Sequence, residues 1–375
     1  MDADGPATAV IRRLARTLLD LPYETWNFGD SVAFEALITA SDQLSEERWA
    51  SFAHGWARSW ATRAHPLRRL DCTAPGLAIV HLATRYEDHQ LIRAAIELAE
   101  YLIGRDKLGG VYETWEHSPL MHPYGSASLI ESEAALLLDP PAGVFVDCLH
   151  FDPPFFAALA RATGDPRYAT EAIEQAIGYI TLLQRDDGLF DHFVLRGYEG
   201  RFGPGWGRGQ GWALLGLLDV MEEMQFQPPA IRREHEAGLR EIHNAIERLI
   251  QAQIGYQRAD GQWYAVVDDP LSGEEHSTAA FMGAGFFRAL QGNVVTGPEI
   301  ERAALLATEA VRRSLGAAGT LSEVSAAVMA CTEPSHYAHV PRGFRVPWGQ
   351  GPALLALAAA EEWKKSGVPP LQSLI

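Results

Sequence analysis

The chain has 375 residues, of which 47% are apolar and 21% charged, the balance of a folded protein with a sizeable core rather than a disordered one. Its 48 acidic against 31 basic residues give a net charge of -17, which repels phosphate backbones and anionic lipid surfaces and argues against nucleic acid or membrane as partners. Three cysteines, Cys72, Cys148 and Cys331, are odd in number and far apart, so they form neither a disulfide framework nor a metal-binding pair; a reducing cytoplasm fits them best.

In chain order, apolar residues at three- and four-residue spacing predict about twelve helices and no convincing run of strands. The helices fall near 7–19, 30–41, 46–62, 75–85, 88–104, 148–163, 165–184, 211–224, 228–253, 276–291, 297–315 and 350–366. The first, within MDADGPATAVIRRLARTLLD, is amphipathic and lacks the apolar core of an export signal. No apolar run approaches the length of a membrane span.

The connections alternate between short and long. SDQLSEE, RYED, TGDP, QFQPP and GNVVTGPE are short; DLPYETWNFGD, the span around RRLDCTAPG, and 105–147, 185–210, 254–275 and 316–349 are long and rich in Trp, Tyr, His and Gly. Within the long loops, GGVYETW, DGLFDHF, DGQWYAV and AGTLSEV each run from glycine into a short alternating stretch, as small hairpins would. With helices running up and down, all six long loops emerge at one end. Six helical hairpins closing into a ring make an all-α (α/α)6 barrel, expected here as a single unit over 1–375; an open solenoid of hairpins is the structural rival. Either way, the decorated end is where chemistry belongs.

The densest such stretch is GPGWGRGQGW, Gly203 to Trp212. It has no preceding strand and no following GKS or GKT, so it is not a phosphate loop. Alternating glycines let a ligand approach the backbone, Trp206 and Trp212 offer flat faces for a sugar ring, and Arg208 presents a planar fork matching a carboxylate. Together they describe a pocket for an acidic sugar, against a plain structural turn with core tryptophans. Asp147 in GVFVDCLHF and Asp71 in RRLDCTAPG each stand where a long loop meets a helix. Helix N-capping is the ordinary reading of such an aspartate. The apolar neighbours Val144, Phe145, Val146, Leu149 and Phe151 instead suit Asp147 to a general acid, since desolvation favours its protonated form. Asp71 lies beside Arg68 and Arg69, which favour its ionised form. His192 in DGLFDHF reads either as a group that orients a substrate hydroxyl or as a solvated loop residue. Trp26, Tyr337 and Trp348 sit in other long loops as candidate walls. No HExxH or compact ligand spacing indicates a metal, and no GxSxG elbow a serine nucleophile.

In this order, VDCLHFDPPFFAALARATGDPRYATEAIEQAIGYI, DGLFDHF, WGRGQGWALLGLLDVMEEM and DGQWYAVVDDPLSGEEHSTAAFM resemble the unsaturated uronyl hydrolases of glycoside hydrolase families 88 and 105. The resemblance implies an (α/α)6 barrel that removes the terminal Δ4,5-unsaturated uronic acid from acidic oligosaccharides left by polysaccharide lyases, with no metal or organic cofactor. It also implies that the C4=C5 vinyl ether is hydrated rather than the anomeric carbon attacked. Asp147 then matches the general acid/base and Asp71 the second active-site aspartate. His192 matches a substrate-contacting histidine, and Trp206, Arg208 and Trp212 the subsite of the unsaturated ring; Gln210, Trp26 and Trp348 are expected as further substrate contacts. FVDCLHF stands where the rhamnogalacturonyl branch has WLDTLYM, and the DC pair and GRGQ lean toward the glucuronyl branch, while PWGQG at 347–351 is untypical of that branch. Three other readings stay open on the residues alone: a glycosidase acting on a saturated uronide, a sugar epimerase with histidine bases, and a noncatalytic carbohydrate-binding protein.

Overall fold

The computed structural model describes residues 6–23, 28–62, 76–115 and 117–366. Six helices form an inner ring: α2 (Asp30–Leu44), α4 (Gly76–Arg85), α7 (Cys148–Thr163), α9 (Gly207–Gln225), α12 (His276–Gln291) and α15 (Pro347–Lys365). Each packs on the next, and α15 packs on α2, so the ring closes into an (α/α)6 barrel and not an open solenoid. Around it lie α1 (Pro6–Leu19), α3 (Arg48–Ala61), α5 (His89–Ile103), α8 (Pro166–Leu183), α11 (Glu236–Tyr256) and α13 (Pro298–Ser314).

The two rings differ as their sequences require. Outer helices carry a single apolar stripe; α11 buries Ile242, Ala245, Ile246, Leu249, Ile250 and Gln253, spaced to fall on one face. Their starts are set locally, as where Asp88 accepts from the Gln90 and Leu91 amides at the head of α5. Inner helices are buried on nearly all sides; α9 has no exposed residue from Gly207 to Val220. Small residues let them crowd the axis. A Cβ at Gly216 of α9 would collide with the Leu149 carbonyl of α7.

Three features depart from the sequence expectation. The helix expected over 228–253 is two, α10 (Pro229–Glu234) and α11, broken at His235, because α10 buries nothing and so leaves no periodic signal. Helix α9 starts at Gly207 and α15 at Pro347, so GRGQG and WGQG are helical rather than loop. The long loops are also more structured than expected, with two short helices, α6 (Glu131–Leu136) and α14 (His336–His339), and seven short strands. Strands β1 (Lys107–Leu108) and β2 (Val111–Tyr112) form one hairpin, and β6 (Tyr264–Val266) and β7 (Asp269–Glu274) another. The third sheet has the order β3 (Gly143–Phe145), β4 (Asp191–Leu195), β5 (Phe202–Pro204), all antiparallel. Among the described residues no helix is long and apolar enough to cross a membrane.

Inside the ring, His150 of α7 is fully buried between two acids, with Nε2 3.4 Å from Glu35 Oε1 of α2 and Nδ1 3.4 Å from Asp219 Oδ2 of α9. Asp219 and Glu222 are held in turn by Arg288 of α12. Among the described residues this group brings three ligand-type atoms within 4.8 Å of one another. The imidazole faces the two acids with opposite edges, however, which suits a ring protonated on both nitrogens better than one shared ion. Burial alone would lower the His150 pKa, but Glu35 and Asp219 outweigh it and hold it up at about 9. A pKa raised from about 6.5 in the unfolded chain contributes stability that is complete below pH 6.5 and lost as pH rises through 9, about 3 kcal/mol in all. The urea midpoint is therefore expected to fall between pH 6 and pH 9.5, and His150→Gln to flatten that dependence. An unaltered pH profile in His150→Gln would count against this role for His150.

Candidate functional site

The N-terminal ends of five inner helices converge, those of α2, α7, α9, α12 and α15. Asp147 occupies the N-cap position of α7, Trp206 that of α9 and Glu275 that of α12. Phe28, just before α2, stacks at 4.7 Å on Trp348 at the start of α15. Helices aligned this way direct their partial positive ends, and their unpaired N–H groups, at one mouth, where an anion is favoured. The mouth holds a cleft of about 400 Å³ lined by Phe28, Trp115, Phe145, Asp147, His192, Trp206 and Arg208, with residues 327–330 across it. A larger cavity of about 930 Å³ opens at the opposite pole. Its lining holds Asp42, Asp219, Glu222 and Glu362 with Arg288, and the helix carbonyl ends add to a field that repels acidic ligands.

The three-stranded sheet positions the polar groups of the cleft. Phe145 of β3 pairs with Phe193 of β4, and the Val146 amide donates to the His192 carbonyl at 2.8 Å. That register sets Asp147, two residues past Phe145, beside the side chain of His192. Strand β5, paired to the other edge of β4, runs through Gly203 and Gly205 into Trp206. Both glycines have positive φ, +65° and +66°; a Cβ on the first would strike the Tyr337 hydroxyl, and on the second would lie 2.5 Å from Asp268 Oδ1. This turn is what GPGW encodes.

Asp147 is 8% exposed, and its side chain makes no capping bond despite its N-cap position. Its Oδ2 is buried without a hydrogen-bond partner and lies 3.3 Å from His192 Nε2. The N-capping reading therefore does not describe it. His192 is itself buried: its ring lies 4.4 Å from that of Trp206, and Nδ1 is 2.7 Å from the Tyr337 hydroxyl. It is not a solvated loop residue.

Arg208 is 1% exposed and well partnered. Its Nη1 donates to Ser325 Oγ at 2.7 Å and to Glu275 Oε1 at 3.2 Å, and Nη2 to the Ala326 carbonyl at 2.9 Å. Burial lowers its pKa and the carboxylates of Glu275 and Asp147 oppose that, so the guanidinium remains a cation. Its Nε–H is buried and unpartnered. The Nε–H and the second Nη2 proton remain as a side-on fork. The indoles of Trp206 and Trp348 flank the guanidinium, with its carbon 5.1 and 5.8 Å from their ring centres.

Other expected contacts lie elsewhere. Gln210 clamps the backbone, donating to the Phe190 and Trp206 carbonyls and accepting from the Phe190 amide at 2.7 Å, so its side chain is used up away from the cleft. Trp212 is 0% exposed and packs in the core on Phe281, His150 and Phe151, because helix α9 begins early enough to point it inward. Trp348 donates to the Ser325 carbonyl at 3.0 Å and backs the guanidinium rather than lining the cleft. Asp71 and Trp26 lie outside the described residues. Sequence reasoning missed Glu275, whose signal was an acid immediately before a helix start in GEEHST. It also missed residues 327–330, which carry no chemical signature.

A profile of Glycosyl Hydrolase Family 88 matches residues 8–364. Among solved structures, the chain is similar to a possible member of family GH105 from Salmonella enterica, with 19% identity, a TM-score of 0.78, and 96% of this chain and 94% of that one covered. It is similar also to an unsaturated glucuronyl hydrolase responsible for the degradation of glycosaminoglycan from Bacillus sp. GL1, at 17% identity, TM-score 0.67 and 95% coverage of both chains. A third, an unsaturated glucuronyl hydrolase specific for heparin, has 13% identity, TM-score 0.67 and 98% coverage of both. No curated protein matches the chain in sequence.

Proposed function

Because the chain belongs to Glycosyl Hydrolase Family 88 and is a glycoside hydrolase, we propose that it removes a terminal Δ4,5-unsaturated uronic acid from acidic oligosaccharides by hydrating the vinyl ether. The observation that carries this is the pairing, in one cleft at the positive ends of the inner helices, of an uncapped buried carboxyl, Asp147, with the free fork of Arg208. A carboxylate on the sugar suits the fork, and the face of its ring suits Trp206. Asp147 gives its proton to C4 as the C4=C5 electrons form the new C–H bond, and positive charge develops at C5 and the ring oxygen. The Asp147 carboxylate then takes a proton from water as the water oxygen bonds to C5. The resulting C5 hemiketal opens, and the hemiacetal left at C1 expels the neighbouring sugar. His192, 3.3 Å from Asp147, stabilises the carboxylate midway through this cycle.

The test is a panel of lyase-generated disaccharides from pectin, heparin, chondroitin, ulvan and alginate, followed by loss of the double-bond absorbance. The expected result is turnover of at least one member and none of the saturated counterpart. Equal cleavage of a saturated uronide would replace vinyl-ether hydration with attack at the anomeric carbon.

A further inference from the structure

The hydroxyl of Tyr337 meets His192 Nδ1 at 2.7 Å, on the edge of the ring away from Asp147. We propose that Tyr337 is a positioning residue for the hydrolysis, its O–H donating to His192 Nδ1 so that the ring proton stays on Nε2, facing Asp147 Oδ2. The inference rests on the proposed function for its catalytic consequence, but its structural part stands alone.

Direction is decided by the groups around the phenol. The phenol carries one proton, and the acceptor it meets is Nδ1, at 2.7 Å. Burial pushes the Tyr337 pKa well above the usual phenol range, so that proton is retained at any working pH. The opposite arrangement, with the proton on Nδ1, would turn the Nε2 lone pair toward the carboxylate left once Asp147 has protonated C4, setting two buried acceptors 3.3 Å apart against each other. With the proton on Nε2, the ring instead stabilises the carboxylate left after Asp147 protonates C4, and the same carboxylate then accepts the proton released as water adds to C5.

The surroundings of Tyr337 hold it in place. It lies in α14, a single turn anchored by its neighbour His336, whose Nδ1 accepts from the Tyr124 amide at 3.0 Å and whose Nε2 donates to the Met329 carbonyl at 3.1 Å. Burial lowers the His336 pKa to about 4, so it serves as a neutral bridge between both segments. The adjacent pair His336 and Tyr337 thus ties residues 327–330, across the cleft, and the acid/base pair inside it to one short helix. Gly203, where a Cβ would strike the Tyr337 hydroxyl, keeps β5 clear of this contact.

The experiment is Tyr337→Phe in the full chain labelled with 15N histidine, with His192→Gln used to assign the His192 signals. In the unaltered protein His192 is expected to show a single Nε2–H tautomer. In Tyr337→Phe its two nitrogen shifts are expected to move toward each other as the tautomers mix. The kcat on the preferred unsaturated disaccharide should fall roughly 10- to 100-fold, the size typical of losing an orienting partner, with KM within about twofold. A His192→Gln background should remove the effect of Tyr337→Phe on kcat. Unchanged nitrogen shifts, or unchanged kcat beside altered shifts, would overturn the proposal. If the unaltered protein turned over no unsaturated disaccharide, the hydrolase reading would fall instead, and the nitrogen spectrum would still decide the tautomer.

Discussion

Asp147→Asn is expected to lower kcat on unsaturated uronyl disaccharides by roughly 10³-fold or more while leaving the thermal midpoint within a few degrees of the parent. The size follows from the double duty of one carboxyl. An amide can neither protonate C4 nor accept the proton released when water adds at C5, so both halves of the hydration lose their proton carrier. The small effect on stability follows from what the side chain does not do: it makes no capping bond to α7. Circular dichroism with ultraviolet assays on the same samples separates the two effects. Full turnover by the variant would remove Asp147 from the chemistry; an unfolded variant would show that it holds the head of α7 after all.

Arg208→Lys should raise KM for the same substrates about 10- to 100-fold, with a smaller change in kcat. Lysine keeps a positive charge against Glu275, so the buried pair is not left unbalanced, but it has no planar Nε and Nη2 edge to meet a carboxylate with two bonds. Arg208→Leu is the more damaging change. It leaves Glu275, 2% exposed, without its cation, a loss of about 3–5 kcal/mol when a buried partner is deleted. Kinetics for the lysine variant and differential scanning fluorimetry for the leucine variant distinguish ligand grip from internal charge balance. A lysine variant with unchanged KM would mean that the guanidinium serves Glu275 and Ser325 alone.

The helical frame was legible because both rings write themselves in apolar spacing, and α12 falls where that spacing puts it, at His276–Gln291. The break at His235 was not, since α10 buries no residue and spacing reports only buried faces. Nor was β3: three residues carry no periodicity, and what makes Gly143–Phe145 a strand is β4, almost fifty residues later. In the cleft, Asp147 was legible through its apolar flanks and Arg208 through its glycine context. The internal partners of Arg208 were not legible, because Glu275 and Ser325 reach it from distant loops that no local reading connects. Trp212 was assigned by adjacency in GPGWGRGQGW; once that stretch becomes helical, successive side chains diverge by about 100° and only some can face one ligand.

The packing of α15 on α2 also governs how the molecule comes to exist. The inward face of Asp30–Leu44 finds its last neighbour only when Pro347–Lys365 has been synthesised, some three hundred residues later. Until then the α2 backbone at Val32 and Ala33, which Gly351 of α15 approaches too closely to admit a Cβ, has that flank uncovered. Closure of so distant a pair makes the final step slow and leaves a sticky intermediate, so production of the protein should depend on chaperone capacity more than on its finished stability.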